Sequence, residues 1–411
     1  MQEPSPANRV LEFEEARRII IETIRSLRIP LRTESIDLEY SHSRVLCEPV
    51  YADRDYPALR RSLRDGFAVR VSDVPGVLNV RGEVRAGQPQ SEPLGAGEAI
   101  EVMTGAPVPE GADAVVMVEH VVRDSVQSSL GLRIKIDRTA EPGQFINEPG
   151  AEAANEAELI PLGTRIDASH IATLAMTGNT TVEVVKKPQV AILATGDEII
   201  PIEQPPALHQ IRNSNSYMLA SLVRAAGGQP TVLPIAPDNP ERLRDLLKWG
   251  LGYDMLLVSG GVSAGKFDLV KPALRDLGAT FHFERVRVQP GQPTAFGTVA
   301  RKAVFGLPGN PASSLITFEL FAKPALELLS GLAEPFLPLL SATFEVPFRH
   351  KPGLTRFLPA LLSADGQHLR HIPWQGSSDI PALARANAFL VADGNRESWA
   401  VGDSIRVMLK P

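Results

Sequence analysis

The chain has 411 residues, a formal net charge of -6 and only one cysteine, Cys47. This length predicts roughly two to four domains, and the acidic balance argues against non-specific nucleic-acid binding. One thiol excludes an intramolecular disulfide and a cysteine-cluster zinc site. No run approaches the roughly 18 apolar residues of a membrane span, and the N-terminus lacks an apolar signal region, so we expect a cytoplasmic protein.

The N-terminal half alternates between helical and strand-like patterns. Residues 10–25 carry apolar side chains at helical spacing, which predicts an amphipathic helix. Short valine-rich runs bounded by glycine and proline then predict a compact β module over residues 49–150. The pattern returns to apolar helix and strand near residue 160. We therefore predict one connecting domain formed by residues 7–48 and 151–186.

The C-terminal half predicts an α/β domain followed by a β domain. Strands and helices alternate from VAILA through a helix with Pro240 in its first turn to the strand MLLV. This order is typical of a doubly wound α/β domain, which we assign to residues 187–330. Short strands after Pro335 predict a small, barrel-like β domain over residues 331–411. The expected fold class is thus α/β plus β, in several domains.

The segment MLLVSGGVSAGKFD, residues 255–268, predicts an anion-binding loop. An apolar strand here belongs inside a parallel sheet, whose carboxyl edge is where such sheets hold ligands. Gly260 and Gly261 allow the backbone to turn and approach a phosphate, and Ser259 and Ser263 add hydroxyl groups. An ordinary strand-to-helix loop is the alternative, because S-G-G alone is common.

Other loops converge on the same predicted sheet edge. Gly196 and Asp238 lie in loops that follow two other strands of the same domain. Gly309 and Asn310 follow the apolar run AVF and open a helix that contains Ser313. A helix N-terminus favours an anion by roughly 0.3–1 kcal/mol, so the convergence of several loops carries the prediction.

Three acids, Glu198, Asp238 and Asp268, fall in these loops. Carboxylates brought together repel one another, which raises a pKa unless a cation neutralises them. The cluster therefore predicts Mg²⁺ binding or proton handling. The alternative is that each acid is a solvated loop-end cap.

Six motifs occur together and in order: DGFAV, TGAPVPEGADAVVMVE, LATGDEI, SGGVSAGKFD, PGQP with TAFG, and FGLPGNPASS. In these motifs the chain resembles the molybdopterin molybdenumtransferase (MoeA) family, which includes the gephyrin E domain, over almost its whole length. The resemblance implies an elongated four-domain homodimer whose active site lies between the α/β domain of one subunit and the β module of the other. It also implies insertion of molybdate into adenylylated molybdopterin, with release of AMP assisted by Mg²⁺. A molybdopterin adenylyltransferase is the implied upstream partner.

The resemblance also implies roles for individual residues. The catalytic acids are Asp65, Glu198, Asp238 and Asp268, and the metal ligands are Asp65, Glu152, Glu198 and Asp268. The residues implied to bind the pterin substrate are Thr104, Gly196, Ser259, Gly260, Gly261, Ser263, Pro290, Gly309, Asn310 and Ser313.

The sequence departs from the family pattern at three places. Three arginines, Arg60, Arg61 and Arg64, precede Asp65, and we expect them to lower its pKa and either attract an anionic substrate or pair with the acid. Glu152 replaces an expected aspartate, and Gln292 stands where lysine is common. The candidate oxyanion ligands are Gln292, Arg356 and Ser377.

These departures leave several functions open. The leading hypothesis is the metal-inserting transferase. The alternatives are a tungstate-specific variant, a non-catalytic molybdopterin-binding or scaffold paralogue, and a generic nucleotide pyrophosphatase.

Overall fold

The computed structural model describes residues 10–89, 92–123, 132–261 and 269–411. The chain forms two compact units. The first comprises the described residues up to Glu48 together with 162–168 and 181–411, and the second comprises 49–161 and 169–180. Among the described residues, no helix is long and apolar enough to cross a bilayer. The four domain boundaries assigned from the sequence stay a prediction.

The elements up to residue 185 are mostly short strands. In chain order they are α1 (Phe13–Ser26), β1 (Thr33–Asp37), β2 (Val50–Tyr51), β3 (Arg61–Ser62), β4 (Gly66–Val69), β5 (Gly76–Val84), β6 (Glu98–Val102), β7 (Ala114–Met117), β8 (Val121–Arg123), β9 (Arg133–Ile136), β10 (Ile146–Asn147), β11 (Glu158–Ile160), α2 (Ala168–Met176) and β12 (Thr181–Val185). Three 3₁₀ helices lie at Leu38–Tyr40, Val71–Asp73 and Val118–His120.

The second unit is built on a six-stranded sheet of order β7-β4-β6-β5-β9-β8. Both faces are covered, as β4 illustrates: Phe67 and Val69 pack into one apolar cluster and Ala68 into another. Alternate residues of a strand point to opposite faces, so one valine-rich strand supplies two cores. The β character predicted for this region is confirmed.

The next stretch, residues 189–329, contains the predicted α/β pattern. Its elements are β13 (Gln189–Ala194), β14 (Ile199–Ile200), β15 (Ile211–Arg212), α3 (Ser214–Ala225), β16 (Gln229–Val232), α4 (Pro240–Gly250), β17 (Met255–Ser259), α5 (Val270–Asp276), β18 (Thr280–Phe283), β19 (Val288–Gln289), β20 (Ala295–Val299), β21 (Lys302–Leu307), α6 (Pro311–Thr317), a π-helical turn (Phe318–Ala322) and α7 (Lys323–Leu329).

These strands form a sheet of order β16-β13-β17-β21-β20-β18, parallel across the first four strands. Residues of α3 and α6 pack with Val190 and Ile192, while residues of α4 and α5 pack with Ala191 and Leu193, so helices cover both faces. The doubly wound fold is therefore confirmed. Strand β16 is shorter than predicted and ends at Val232, just before Pro234, which has no amide hydrogen for a ladder.

The C-terminal stretch closes into a small barrel. Its elements are β22 (Leu339–Phe344), β23 (Phe348–Arg349), β24 (Thr355–Leu362), β25 (His368–His371), α8 (Ile380–Arg385), β26 (Ala388–Ala392), β27 (Ser398–Trp399) and β28 (Ser404–Leu409). The sheet runs β24-β25-β22-β28-β26, and β26 pairs back to β24. Strand β19 joins the outside of this ring in parallel with β24. The predicted barrel-like domain is thus confirmed.

Candidate functional site

The carboxyl edge of the α/β sheet borders a cavity of about 420 Å³. Strand β13 lies between β16 and β17, which makes the gap between β13 and β17 the switch point of the sheet. The residues that line the cavity come from four strand-end loops and their surroundings: Thr195, Gly196, Glu198, Ile199, Ile211, Asp238, Gly260, Gly261, Pro293, Pro308, Gly309 and Asn310. The structure therefore brings together most of the predicted phosphate-binding residues, although their roles stay predictions.

Two glycines shape the floor of this cavity. Gly260 has φ +93°, and a Cβ there would lie 2.8 Å from the Thr195 carbonyl oxygen. Gly261 has φ +63°, and its Cβ would lie 2.7 Å from Val270 Cγ2. Both positions therefore exclude a side chain, and the predicted approach of this backbone to a phosphate stays a prediction.

A second cavity of about 560 Å³ adjoins the first, since Pro293, Pro308 and Asn310 line both. Five further residues that were predicted from the sequence line this second cavity: Pro290, Gln292, Ser313, Arg356 and Ser377.

The second cavity is joined to the barrel by backbone pairing. Strand β19 runs parallel to β24, with Gln289 opposite Arg356. The Asn310 side-chain amide donates to Ser377 Oγ at 2.8 Å, and the Ala312 amide donates to the Ser377 carbonyl at 3.0 Å. Residues far apart in the sequence therefore meet in one cavity.

Arg356 is the cationic side chain among the described residues lining this second cavity. Its Nε is buried and has no hydrogen-bond partner in the described part of the chain. Buried donors are normally paired, so this unpaired nitrogen, in a cationic side chain that lines the cavity, makes Arg356 a candidate anion ligand. Gln292 and Ser377 can add neutral hydrogen bonds to the same anion.

Only two of the three acids in the predicted cluster are among the described residues. Glu198 and Asp238 are exposed and line the first cavity, where the Asp238 amide donates to Asp197 Oδ1 at 2.9 Å. Ser263 and Asp268 fall outside the described residues. Within the described ranges, no three acidic, histidine or cysteine side chains are close enough to hold a metal ion.

Asp65, Thr104 and Glu152 belong to the second unit. Asp65 Oδ1 accepts hydrogen bonds from the Thr104 amide at 2.6 Å and from Thr104 Oγ1 at 2.9 Å. These bonds lower the pKa of Asp65. Glu152 Oε1 accepts a hydrogen bond from Asn147 Nδ2 at 2.8 Å.

The expected influence of the three arginines needs correction. The pKa of Asp65 is lowered, as predicted, but Thr104 is the cause. Arg60 pairs instead with Glu148 at 3.1 Å, and the Arg64 guanidinium lies over the Phe145 ring at 6.0 Å from its centroid. Glu148 and Phe145 are distant in sequence from the arginines, so the motif alone did not reveal these partners.

Sequence reasoning missed Asn215 and Thr195. Thr195 lines the first cavity, and Asn215 bonds to two of its loops. The sequence signal that could have revealed Asn215 was a pair of asparagines, Asn213 and Asn215, at the start of an amphipathic helix. One asparagine suffices as a helix cap, and Asn213 fills that position by accepting a hydrogen bond from the Ser216 amide.

Together, the doubly wound sheet, its glycine-lined switch point and the adjoining barrel cavity define a multidomain α/β protein with two adjoining cavities at a sheet edge. Family models account for most of the chain. Residues 11–178 match the MoeA N-terminal region (domain I and II), 191–328 a probable molybdopterin binding domain, and 341–410 the MoeA C-terminal region (domain IV).

Relatives agree with these matches. A molybdopterin molybdenumtransferase from a Nostoc species is 33% identical over 408 residues, covering 96% of this chain and 92% of that protein. One from Bacillus subtilis is 34% identical over 389 residues, covering 92% and 90%. A crystal structure of the MoeA protein from Pyrococcus horikoshii OT3 aligns with TM-score 0.79 at 28% identity, covering 98% of this chain and 100% of that one. The chain belongs to the molybdopterin molybdenumtransferase family.

Proposed function

We propose that this chain performs the metal-insertion step of molybdenum cofactor biosynthesis. It takes adenylylated molybdopterin and molybdate, transfers the molybdenum to the dithiolene sulfurs and releases AMP. Family membership supports the assignment to cofactor biosynthesis. The observation that carries the proposal is the pair of adjoining cavities that share Pro293, Pro308 and Asn310.

The two cavities suit two different anions. The first, lined by the glycines Gly260, Gly261 and Gly309, suits the phosphates of the adenylylated pterin. The second, with Arg356, Gln292 and Ser377, suits molybdate. Placing the oxyanion beside the pterin converts a reaction between two dissolved molecules into one between bound neighbours.

The carboxylates in the first cavity fit Mg²⁺. Glu198 and Asp238 offer exposed oxygen ligands, and Mg²⁺ is usually held by one or two carboxylates together with substrate phosphates and water. When bound, Mg²⁺ supplies neutralising charge at the phosphoric anhydride that is cleaved. We further propose Asp65, Glu152 and Asp268 as metal-binding acids, on the strength of the family motifs.

We also propose a cytoplasmic homodimer that receives its substrate from a molybdopterin adenylyltransferase. The family relationship supports these assignments. They are tested by the oligomeric state of the purified protein and by coupled turnover with an adenylyltransferase.

The deciding experiment measures AMP release from adenylylated molybdopterin by the purified protein, with and without molybdate and Mg²⁺. We expect release that requires molybdate and is accelerated by Mg²⁺. Tight pterin binding without AMP release would identify a binding paralogue. Equal cleavage of unrelated adenylyl anhydrides would identify a pyrophosphatase, and saturation at lower tungstate than molybdate would identify a tungstate-specific variant.

A further inference from the structure

Asn215 connects two neighbouring loops that line the first cavity. Its side-chain amide donates to Ser259 Oγ at 2.9 Å and to the Gly309 carbonyl oxygen at 2.7 Å. Ser259 is the last residue of β17, and Gly309 lies in the loop after β21. The side chain thus spans the point where the backbone ladder between these strands has ended at Ser259 and Leu307.

The amide of Asn215 has one available orientation. The Gly309 carbonyl can only accept a hydrogen bond, so the NH₂ group of Asn215 must face it. Asn215 is 8% exposed, and its Oδ1 has no partner among the described residues. An unpaired buried oxygen is unfavourable for stability, so this residue is poorly explained as a stabilising core contact.

The contact fixes the direction of the peptide bond between Gly309 and Asn310. In a planar trans peptide the carbonyl and the following N–H point in opposite directions. Because the Gly309 carbonyl faces Asn215, the Asn310 N–H points away from it. Asn310 lines both cavities, and its N–H has no acceptor within the described part of the chain. A free backbone N–H at a cavity wall is a hydrogen-bond donor for an anion.

We propose that Asn215 is a positioning residue that holds the Gly309–Asn310 peptide with its N–H directed to a phosphate of the substrate. The identity of that phosphate, in adenylylated molybdopterin, rests on the proposed function. The positioning itself does not depend on that function. The Asn215 amide also donates to Ser259 Oγ, so it fixes the distance between the loop after β17 and the loop after β21.

The test uses Asn215→Ala in the full chain, with Asn213→Ala as its matched control. Both asparagines are buried near the start of α3, but the Asn213 side chain accepts the helix-capping hydrogen bond from the Ser216 amide, whereas Asn215 donates to the two loops. Amide hydrogen exchange is measured in the ligand-free protein. We expect about tenfold faster exchange at Gly260, whose amide donates to the Leu307 carbonyl where the two loops begin, for Asn215→Ala and no change there for Asn213→Ala, since losing one hydrogen bond has about this effect.

The second measurement is the steady-state kinetics of AMP release. Asn215→Ala is expected to raise KM for adenylylated molybdopterin about tenfold with a smaller change in kcat, because the lost contact orients a binding group. Asn215→Asp keeps the shape of the side chain but cannot donate a hydrogen bond when ionised, so it replaces the alanine variant if that variant does not fold.

Unchanged exchange at the Gly260 amide in Asn215→Ala would overturn the positioning role. Faster exchange in a protein whose parent releases no AMP would leave the positioning intact and reject the proposed function. Faster exchange with unchanged KM in an active enzyme would overturn the link to the phosphate.

Discussion

At the scale of single residues, Arg356 is the proposed cationic ligand for molybdate in the second cavity. We predict that Arg356→Leu raises KM for molybdate by about 10- to 100-fold, the effect of losing a charge-assisted hydrogen bond in a buried site. The measurement is AMP release against molybdate concentration. Arg370→Leu is the control, since Arg370 is exposed on the neighbouring barrel strand and lies outside the residues that line the cavity. Equal KM values for the two variants would contradict the assignment.

The backbone at Gly260 is the second feature at this scale. Gly260→Ala places a methyl group 2.8 Å from the Thr195 carbonyl oxygen at φ +93°, so we expect loss of both stability and pterin affinity. Gly278 is a matched control because its φ is +90° and a methyl group there would meet no atom within 4 Å. The left-handed backbone alone costs about 1–2 kcal/mol for an alanine. Urea unfolding should show a larger loss for Gly260→Ala than for Gly278→Ala, and pterin binding should fall only in the former.

Thr104 controls the ionisation of Asp65. Thr104→Val removes the hydroxyl donor while the backbone donor stays, so the pKa of Asp65 should rise toward its ordinary value. Thr104→Ser keeps the hydroxyl and should leave the pKa low. Because the folded-state pKa is lowered, this contact stabilises the fold above the ordinary aspartate pKa, and the stabilisation is lost as pH falls through the folded value. NMR titration of the Asp65 carboxyl carbon in the three proteins measures the shift, and an unmoved pKa in Thr104→Val would assign it to the backbone donor alone.

At the scale of elements, the π-helical turn between α6 and α7 is held by a side chain of α1. Arg17 Nη1 donates to the Leu320 carbonyl at 2.7 Å. A π turn displaces backbone carbonyls from the regular α-helical ladder, so an external donor stabilises it. We predict that Arg17→Met lowers the free energy of unfolding by about 1–3 kcal/mol, since it leaves this carbonyl unpaired.

The neighbouring arginine provides the control. Arg18 makes an exposed contact to Glu22 within the same helix, so Arg18→Met should change stability by no more than about 0.5 kcal/mol. Chemical denaturation of both variants gives the comparison. If the two lose the same stability, the π turn does not depend on Arg17.

The secondary-structure elements also show which parts of the fold and of the candidate site could be predicted from the sequence. The helix at Phe13–Ser26 and the buried strand Met255–Ser259 were predictable because their apolar spacing is a local property. The π turn was not predicted because FELFA continues a helical pattern, although Pro324 lacks the N–H that would bond the Leu320 carbonyl in a regular helix. The glycine loops of the first cavity were likewise local signals. The second cavity depends on pairing between β19 and β24, whose partners are 67 residues apart, as with Gln289 and Arg356, so local patterns could not place it.

At the scale of the whole molecule, stability should depend on pH through two half-buried histidines. Burial lowers the pKa of His371, which lies on barrel strand β25, and also that of His282 in the α/β sheet. A lowered folded-state pKa means that the unfolded chain binds the proton more tightly. The contribution of these groups is therefore present above the ordinary histidine pKa of about 6.5 and is lost as pH falls below it.

We predict that the free energy of unfolding of the first unit falls between about pH 8 and pH 5.5, and that His371→Phe reduces this fall. Tryptophan fluorescence reports on the barrel, because Trp399 is buried beside Phe348, which also contacts His371. His368→Gln changes an exposed histidine of the same strand and should keep the parental pH dependence. An identical pH dependence in His371→Phe and the parent would rule out the contribution of His371.

The pairing of β19 with β24 has a consequence for synthesis of the protein on the ribosome. The α/β sheet is complete once residue 307 has emerged, so the glycine loops can take shape while the barrel is still untranslated. Arg356 joins Gln292 in lining the second cavity only when the barrel forms, and that barrel closes through β28, which ends at Leu409. A nascent chain can therefore form the first cavity well before it forms the second. We expect a protein truncated before β28 to bind the pterin phosphate and to have lost the ability to bind molybdate.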